Sequence, residues 1–205
     1  AMLILAPLVV GLIGLIVERC LIQWLYGRMI DTLLATWGLS LLFIGIITSI
    51  FGASTSTVIS PPLGTVTIGE YTSSGYELFL IFVVIVLLAL VYLTLKFTSL
   101  GLVARATMQN SDMSACLGIS TSKIYMVTFS LGAAVSGLAG GLLAPITGVL
   151  PNIGVIYIAK AFITVISGGS AILAGTTSAS VLLGGVNGIM SYITGPTFGE
   201  VALLF

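Results

Sequence analysis

This sequence consists largely of long apolar runs, which very few charged residues interrupt. A helix that crosses a hydrocarbon core about 30 Å thick needs about 20 mostly apolar residues. The clearest run, residues 78–95, contains no charged side chain. Similar runs occupy residues 2–17, 32–51, 124–144 and 176–192. Charged residues make up 6% of the chain, whereas a soluble domain carries roughly 25%. The sequence therefore predicts an all-α, polytopic transmembrane helix bundle.

The composition also excludes several kinds of function. The formal net charge is zero, and no basic cluster is present that could neutralise nucleic-acid phosphates. The chain has no histidine, the commonest general base and metal ligand. Cys20 and Cys116 lie far apart and lack the spacing of a metal site. We therefore expect no catalytic residue, no metal site and no bound nucleic acid.

Glycine and proline predict where the helices are interrupted. Residues 52–77 are rich in Ser, Thr, Gly and Pro and include two adjacent prolines, which a helix interior does not accept. Pro145 is expected to end the helix that begins at residue 124. The apolar stretch 157–167 is stopped by the Gly168-Gly169 pair and is too short to cross a bilayer. We therefore expect a broken helix in the C-terminal half.

The positions of lysine and arginine predict the topology, because cytoplasmic loops carry an excess of these residues. The basic residues that follow the first and third apolar runs are Arg19, Arg28, Lys96, Arg105 and Lys123. The loop 52–77 contains only acidic charges, Glu70 and Glu77. We therefore expect the segment 96–123 to be cytoplasmic and the loop 52–77 to be extracytoplasmic.

Small residues recur at four-residue spacing in the last two long runs. Such stripes allow two helix backbones to approach closely inside a membrane. Packing within the bundle is favoured over a pore-lining or dimer-specific role. The residues predicted to pack helices are Gly132, Ser136, Gly137, Gly140, Gly141, Gly184 and Gly188.

The polar segment 96–123 contains a predicted short amphipathic helix at residues 112–117. Ser111 or Asp112 is expected to cap it, and Gly118 to end it in the left-handed conformation. Two interpretations stay open, an interfacial connector on the lipid head groups and a docking surface for a cytoplasmic partner. The predicted docking residues are Asp112, Met113, Ala115, Cys116, Leu117 and Gly118.

Three polar residues in the C-terminal half are candidates for a substrate path. Lys160 lies inside an apolar run, where an ionisable residue is a functional candidate, although its amine could instead reach the membrane interface. Asn187 lies in the middle of the last long run and could either hold helices together or line the path. Asn152, in the short loop before residue 153, completes the set.

Several motifs resemble one family of membrane proteins. The motifs are LYGR at 25–28, TLLATWGL at 32–39, RATMQN at 105–110, MSACLGI at 113–119, SGLAGG at 136–141 and PNIG at 151–154. In this order they closely resemble the urea and branched-chain amino-acid permeases of ABC importers, and most of all the urea type. The stretch GGSAI at 168–172 departs from the family pattern. By this resemblance, both ends of the chain are expected to be truncated, leaving one partial permease domain over residues 1–205.

The resemblance implies a set of partners in a bacterial inner membrane. A second homologous permease would pair with this chain, two cytoplasmic ATPase subunits would bind beneath it, and a periplasmic binding protein would deliver the substrate. Residues 112–118 would be the coupling helix that docks on an ATPase. The chain lacks the phosphate-binding sequence GxxxxGK[ST]. ATP and magnesium are therefore expected only on the partner subunits, and this chain is not expected to be an enzyme.

The expected function is ATP-driven import of urea or short amides. Spans with few charges suit a neutral polar solute, which needs hydrogen bonds and no counter-charge. Branched-chain amino acids are the alternative substrate. A passive channel or secondary transporter for small polar solutes is the alternative of a different class.

Overall fold

A computed structural model describes residues 2–52, 54, 58, 64–68, 71–169 and 174–195, which divide between two compact units, residues 1–150 and 151–205. The first unit contains the helices α1 (Met2–Cys20), α2 (Met29–Phe51), α3 (Gly75–Phe97), α4 (Ser99–Gln109), α5 (Ser111–Cys116) and α6 (Thr121–Thr147). A single 3-10 turn, Ile22–Leu25, lies between α1 and α2. The second unit contains α7 (Ile153–Gly168) and α8 (Ala174–Thr194).

The prediction of an all-α, multi-pass membrane protein is confirmed. Among the described residues, Ile30–Phe51, Gly75–Phe97 and Thr121–Thr147 are long and apolar enough to cross a bilayer, with mean hydropathies of 2.0, 3.2 and 1.7. Their apolar side chains are mostly exposed on the surface of the chain. Apolar surface of this extent is stable only against lipid or other membrane helices, because exposing it to water is unfavourable.

Helix α1 packs along α6, and small residues make this contact possible. A Cβ atom added to Gly137 would lie 2.6 Å from Val10 Cβ, and one added to Gly14 would lie 2.5 Å from Ala133 Cβ. The Ser130 hydroxyl also donates a 3.0 Å hydrogen bond to the Gly11 carbonyl. The two backbones therefore approach more closely than side chains of ordinary size would permit.

Three of the predicted packing residues of α6 lie away from α1. A Cβ atom added to Gly132 or Gly140 would meet no described atom within 4 Å, and Ser136 is exposed. Gly141 belongs with Gly137, since its added Cβ would lie 3.3 Å from Ala6 Cβ. Gly137 and Gly141 thus pack against α1, whereas Gly132, Ser136 and Gly140 face outward, where their packing role stays a prediction.

The prediction that Pro145 ends the fourth span is wrong. Pro145 lies inside α6, which continues to Thr147 and ends at Gly148. Gly148 has a φ of +72°, and its N–H donates to the Ala144 carbonyl. A proline near the end of a helix costs only one backbone hydrogen bond. The neighbouring carbonyl of Leu142 accepts a 2.7 Å bond from the Tyr76 hydroxyl, which ties α3 to this part of α6.

The predicted loop 52–77 contains a short β-hairpin in its described part. Strands β1 (Thr65–Ile68) and β2 (Tyr71–Ser74) pair antiparallel, with Thr65 opposite Ser74. Ser74 then caps α3, because its side chain accepts a hydrogen bond from the Tyr76 N–H. The two adjacent prolines and Glu70 lie outside the described residues.

The helix break near residue 168 is confirmed. Helix α7 ends at Gly168, and Gly169 adopts a φ of +64° that favours glycine. A Cβ atom added to Gly168 would lie 2.8 Å from the backbone nitrogen of Thr176, at the start of α8. The end of α7 thus lies directly against α8. Gly184 and Gly188 on α8 have no described neighbour within 4 Å of an added Cβ, so their predicted packing partners are not among the described residues.

Candidate functional site

Helix α4 turns back on α3 immediately after Thr98, the one residue between them. Gly101 makes this turn possible, since an added Cβ atom would collide with the backbone of Leu95. Arg105 fastens the turn: its Nη2 donates to the Leu95 carbonyl at 3.0 Å and its Nε to the Gly101 carbonyl at 3.2 Å. A cation at the last carbonyls of a helix is favourable. Arg105 therefore binds α4 to the end of α3.

The next helix, α5, begins at a cap that differs from the predicted one. Asn110 is the capping residue, and its Oδ1 accepts a 3.0 Å hydrogen bond from the Met113 N–H. The prediction that Ser111 or Asp112 caps this helix is therefore wrong by one or two residues. All three residue types are good caps. The extended backbone of Asn110, with a φ of −154° and a ψ of 102°, places this side chain over the first turn.

Helix α5 ends as predicted at Gly118. Gly118 has a φ of +81° and donates its N–H to the Ala115 carbonyl at 3.0 Å. The N–H of the following residue, Ile119, donates to the Ser114 carbonyl at 3.1 Å. This pair of bonds is a Schellman motif, which satisfies the last carbonyls of a helix and favours glycine at the left-handed position. Both ends of this short helix are thus held by specific hydrogen bonds.

The predicted docking residues all lie on the surface of α5 and the turn that follows it. Ser114 is buried and marks the inner face of α5, and its hydroxyl donates to the carbonyl of Asn110, the cap of the same helix. Met113 and Leu117 are 64% and 77% exposed, one helical turn apart, so the outer face is apolar. The predicted docking residues Asp112, Met113, Ala115, Cys116, Leu117 and Gly118 are all exposed, and among them only Asp112 is charged. A short capped helix with an apolar outer face can dock into a groove of another protein.

A buried acid that the sequence analysis did not single out lies at the end of α1. Glu18 is 1% exposed, and the Tyr26 hydroxyl donates a hydrogen bond to its Oε1. Its Oε2 has no hydrogen-bond partner among the described residues. The Tyr26 ring packs on Tyr125 of α6, with centroids 4.8 Å apart. Partial burial first, and the Glu18 hydrogen bond second, raise the pKa of the Tyr26 hydroxyl, so it remains a donor.

One signal in the sequence could have identified this acid. Glu18 follows Gly11 and Gly14 at helical spacing, and both glycines lie on the face of α1 that packs against α6. A helix face continues at spacings of three and four residues. This spacing puts Glu18 on the packed face of α1, whereas its charge alone would suggest a solvated helix end.

A cavity between α7 and α8 brings together two of the three predicted path residues. Its volume is about 240 Å³, and both Lys160 and Asn187 line it. The other lining residues are Tyr157, Ile163, Thr164, Ser180, Leu183 and Gly184. Asn152 is exposed at the start of α7 and does not line this cavity. The second unit therefore contains a small cavity with one cation, several hydrogen-bonding groups and two aliphatic side chains.

Known proteins with similar sequences are transport permeases. A family model described as "Branched-chain amino acid transport system / permease component" matches residues 1–204. The probable branched-chain amino acid transport permease protein LivH of Methanocaldococcus jannaschii is 32% identical over 124 residues, 60% of this chain and 39% of the relative. The high-affinity permease protein BraD of Pseudomonas aeruginosa is 31% identical over 144 residues, 67% of this chain and 47% of the relative. LivH of Escherichia coli K12 is 33% identical over 104 residues, 49% of this chain and 34% of the relative.

The chain spans less than half the length of these curated relatives, since the matches cover 34% to 47% of them. No solved structure matches the chain. The family model, in contrast, matches all but the last residue. The protein therefore belongs to the family of permease components of branched-chain amino acid transport systems.

Proposed function

We propose that this chain is a permease subunit of an ATP-driven importer and forms part of the path for branched-chain amino acids. The match of the family model to residues 1–204 carries this proposal. The three relatives described above are named for branched-chain amino acid transport. These amino acids therefore replace urea and short amides, which the sequence motifs favoured, as the proposed substrates.

The proposed assembly follows from the same membership. A second homologous permease pairs with this chain in the bacterial inner membrane, and a periplasmic binding protein supplies the substrate. Two ATPase subunits on the cytoplasmic side bind ATP and magnesium. Transport relatives and an apolar helix bundle support a permease rather than an enzyme.

Helix α5 is the proposed contact with an ATPase. Hydrogen bonds hold both ends of this short helix, and its outer surface carries the exposed apolar side chains of Met113 and Leu117. A passive channel has no need of such a surface. The positive-inside pattern of the sequence supports a cytoplasmic position for the same segment, where an ATPase is available.

The test is transport by the complete transporter that contains this chain, reconstituted in proteoliposomes with its ATPases and binding protein. We expect uptake of leucine, isoleucine and valine. This uptake should require ATP on the side of the membrane where the ATPases lie. Urea should not be accumulated under the same conditions. Saturable urea uptake without leucine uptake would restore urea as the substrate, and uptake of either solute without ATP would identify a passive channel.

A further inference from the structure

Three exposed basic residues, Arg19, Arg28 and Lys123, lie around the connector between α1 and α2, residues 21–28. We propose that these residues and Trp24 form a binding site for the head groups of anionic phospholipids. We call the four residues the connector patch. This inference concerns the lipid around the chain and goes beyond the proposed transport function.

One set of contacts brings the three cations to the same region of the surface. The Tyr26 hydroxyl donates to Glu18 Oε1 at the end of α1. The Tyr26 ring packs on Tyr125 near the start of α6, with centroids 4.8 Å apart. Each of the three cations lies within two residues of one of these side chains. The connector is therefore held against the ends of α1 and α6, and the basic residues flank it.

The acids of this region leave an excess of positive charge on the surface. Glu18 is 1% exposed, so its side chain lies inside rather than on the surface. Asp31 is exposed and lies 3.7 Å from Arg28, but an ion pair between exposed side chains is weak. Three exposed cations therefore face one exposed acid, and an anionic group is the ligand that complements them.

The position of Lys123 also favours an anionic ligand. Lys123 lies in the first turn of α6, which begins at Thr121 and contains no acid in that turn. A cation at this end of a helix opposes the helix dipole. A phosphate group beside the first turn is favoured both by the lysine and by the backbone N–H groups of the helix end. An anionic head group therefore makes this position of the lysine favourable.

The connector leads directly into a span, which favours a lipid as the source of the anionic group. Arg28 precedes the apolar stretch Ile30–Phe51 by two residues. Trp24 is 78% exposed, and tryptophan is enriched at the membrane interface, where its ring meets lipid and its N–H meets water. Basic segments next to a span are attracted to the anionic lipids of the cytoplasmic leaflet. The proposed topology puts the connector on that side.

The tryptophans of the chain make this contact measurable, since Trp24 and Trp37 are the two that the sequence contains. The complete chain with Trp37→Phe is reconstituted in phosphatidylcholine vesicles. The vesicles contain the same minor fraction of either brominated phosphatidylglycerol or brominated phosphatidylcholine, because bromine on a lipid chain quenches indole fluorescence on contact. We expect brominated phosphatidylglycerol to quench Trp24 more strongly, since the connector patch would concentrate this lipid around the indole.

Matched variants test whether the connector patch causes the preference. Arg19→Gln should lower the preference for phosphatidylglycerol roughly fivefold, because one basic residue near an anionic surface contributes about 1 kcal/mol. Lys96→Gln is the control, since the Lys96 Nζ lies at the end of α3 and donates to the Tyr92 hydroxyl at 2.8 Å. It should leave the preference nearly unchanged. The triple variant Arg19→Gln/Arg28→Gln/Lys123→Gln should abolish the preference.

The reciprocal variant Trp24→Phe checks folding and insertion. It keeps Trp37, which is 64% exposed on the span of α2, and both brominated lipids should quench Trp37 equally. Equal quenching of Trp24 by the two lipids, or a preference that survives in the triple variant, would overturn the lipid site. Quenching of Trp37 without any quenching of Trp24 would also overturn it and would point to a protein partner at the connector. Transport is not measured, so the outcome is independent of the proposed function.

Discussion

At the scale of single residues, the carboxylate of Glu18 is held in place by one tyrosine. The Tyr26 hydroxyl is the donor to Glu18 Oε1, while Glu18 Oε2 lacks a described partner. A buried acid with one described hydrogen bond depends strongly on that bond, because a buried polar group without a partner is costly. Tyr26 belongs to the connector between α1 and α2, so this bond also ties the connector to α1.

We predict that Tyr26→Phe destabilises the protein. The buried acid loses its donor, which should lower the free energy of unfolding by about 1–3 kcal/mol. Thermal unfolding in detergent measures the change. Tyr192→Phe is the matched control, because Tyr192 is 85% exposed. This variant should unfold like the wild type. Equal unfolding temperatures for the two variants would show that the Tyr26 bond is dispensable.

A second residue-scale prediction concerns Gly118. Its φ of +81° is strained for any other residue, so Gly118→Val should distort the end of α5 at a cost of about 1–2 kcal/mol. Transport and substrate-stimulated ATP hydrolysis should fall together in the complete transporter, while the amount of protein in the membrane stays nearly unchanged. Gly45→Val is the control, since Gly45 lies in α2 with open space around it. Normal coupling in Gly118→Val would make α5 a passive connector.

At the scale of elements, helix α6 has small residues on two faces, and only one of these faces packs against α1 in the described structure. Gly137 faces Val10 and Ala6, whereas Gly140, three residues later, faces no described atom. The two glycines belong to the same helix and to the same sequence pattern. They therefore provide a pair of positions at which only the contact with α1 differs.

We predict that Gly137→Leu is much more disruptive than Gly140→Leu. The new side chain at position 137 would force the backbones of α1 and α6 apart, and overpacking of this kind costs about 1–3 kcal/mol. The yield of folded protein and the unfolding temperature in detergent measure the difference. Similar values for the two variants would mean that α1 and α6 do not pack through Gly137.

The spans could be predicted from the sequence to within a few residues, and the helix ends could not. A span is recognised from the summed hydropathy of about 20 residues, so no single residue decides it. The start of α5 depends on which of Asn110, Ser111 and Asp112 adopts the extended backbone, and all three favour that position. The hairpin of β1 and β2 likewise depends on pairing between two short polar segments, which hydropathy does not detect.

The candidate site also has some features that the sequence predicts and others that it does not. Gly118 could be predicted because its role follows from local backbone geometry. The meeting of Lys160 with Asn187 in one cavity depends on how α7 and α8 pack, and residues 27 positions apart reveal no such contact in a single sequence. The burial of Glu18 depends on Tyr26 and on the packing of α6, which the charge of an acid does not suggest.

At the scale of the whole molecule, the two ends of α3 differ in charge. Glu77 lies in the first turn of α3 and Lys96 in its last turn, an arrangement that also suits the helix dipole. The bond from Arg105 to Leu95 places α4 on the side of the Lys96 end. The proposed topology puts that side in the cytoplasm.

We predict that an impermeant thiol reagent labels position 77 but not position 108 in intact cells. The single-cysteine variants Glu77→Cys and Met108→Cys, made without Cys20 and Cys116, test this arrangement, since Glu77 and Met108 are both exposed. Permeabilised cells serve as the control, in which both positions should react. Labelling of position 108 alone in intact cells would invert the topology.

The double hydrogen bond of Arg105 has a mechanical consequence. Helices α3 and α4 are joined by a single residue, and Arg105 braces that joint across the Leu95 carbonyl. A helix joint held in this way is stiff and is a poor hinge. In the proposed transporter, a displacement of α5 by an ATPase would therefore reach α3 through this joint and change the orientation of that helix.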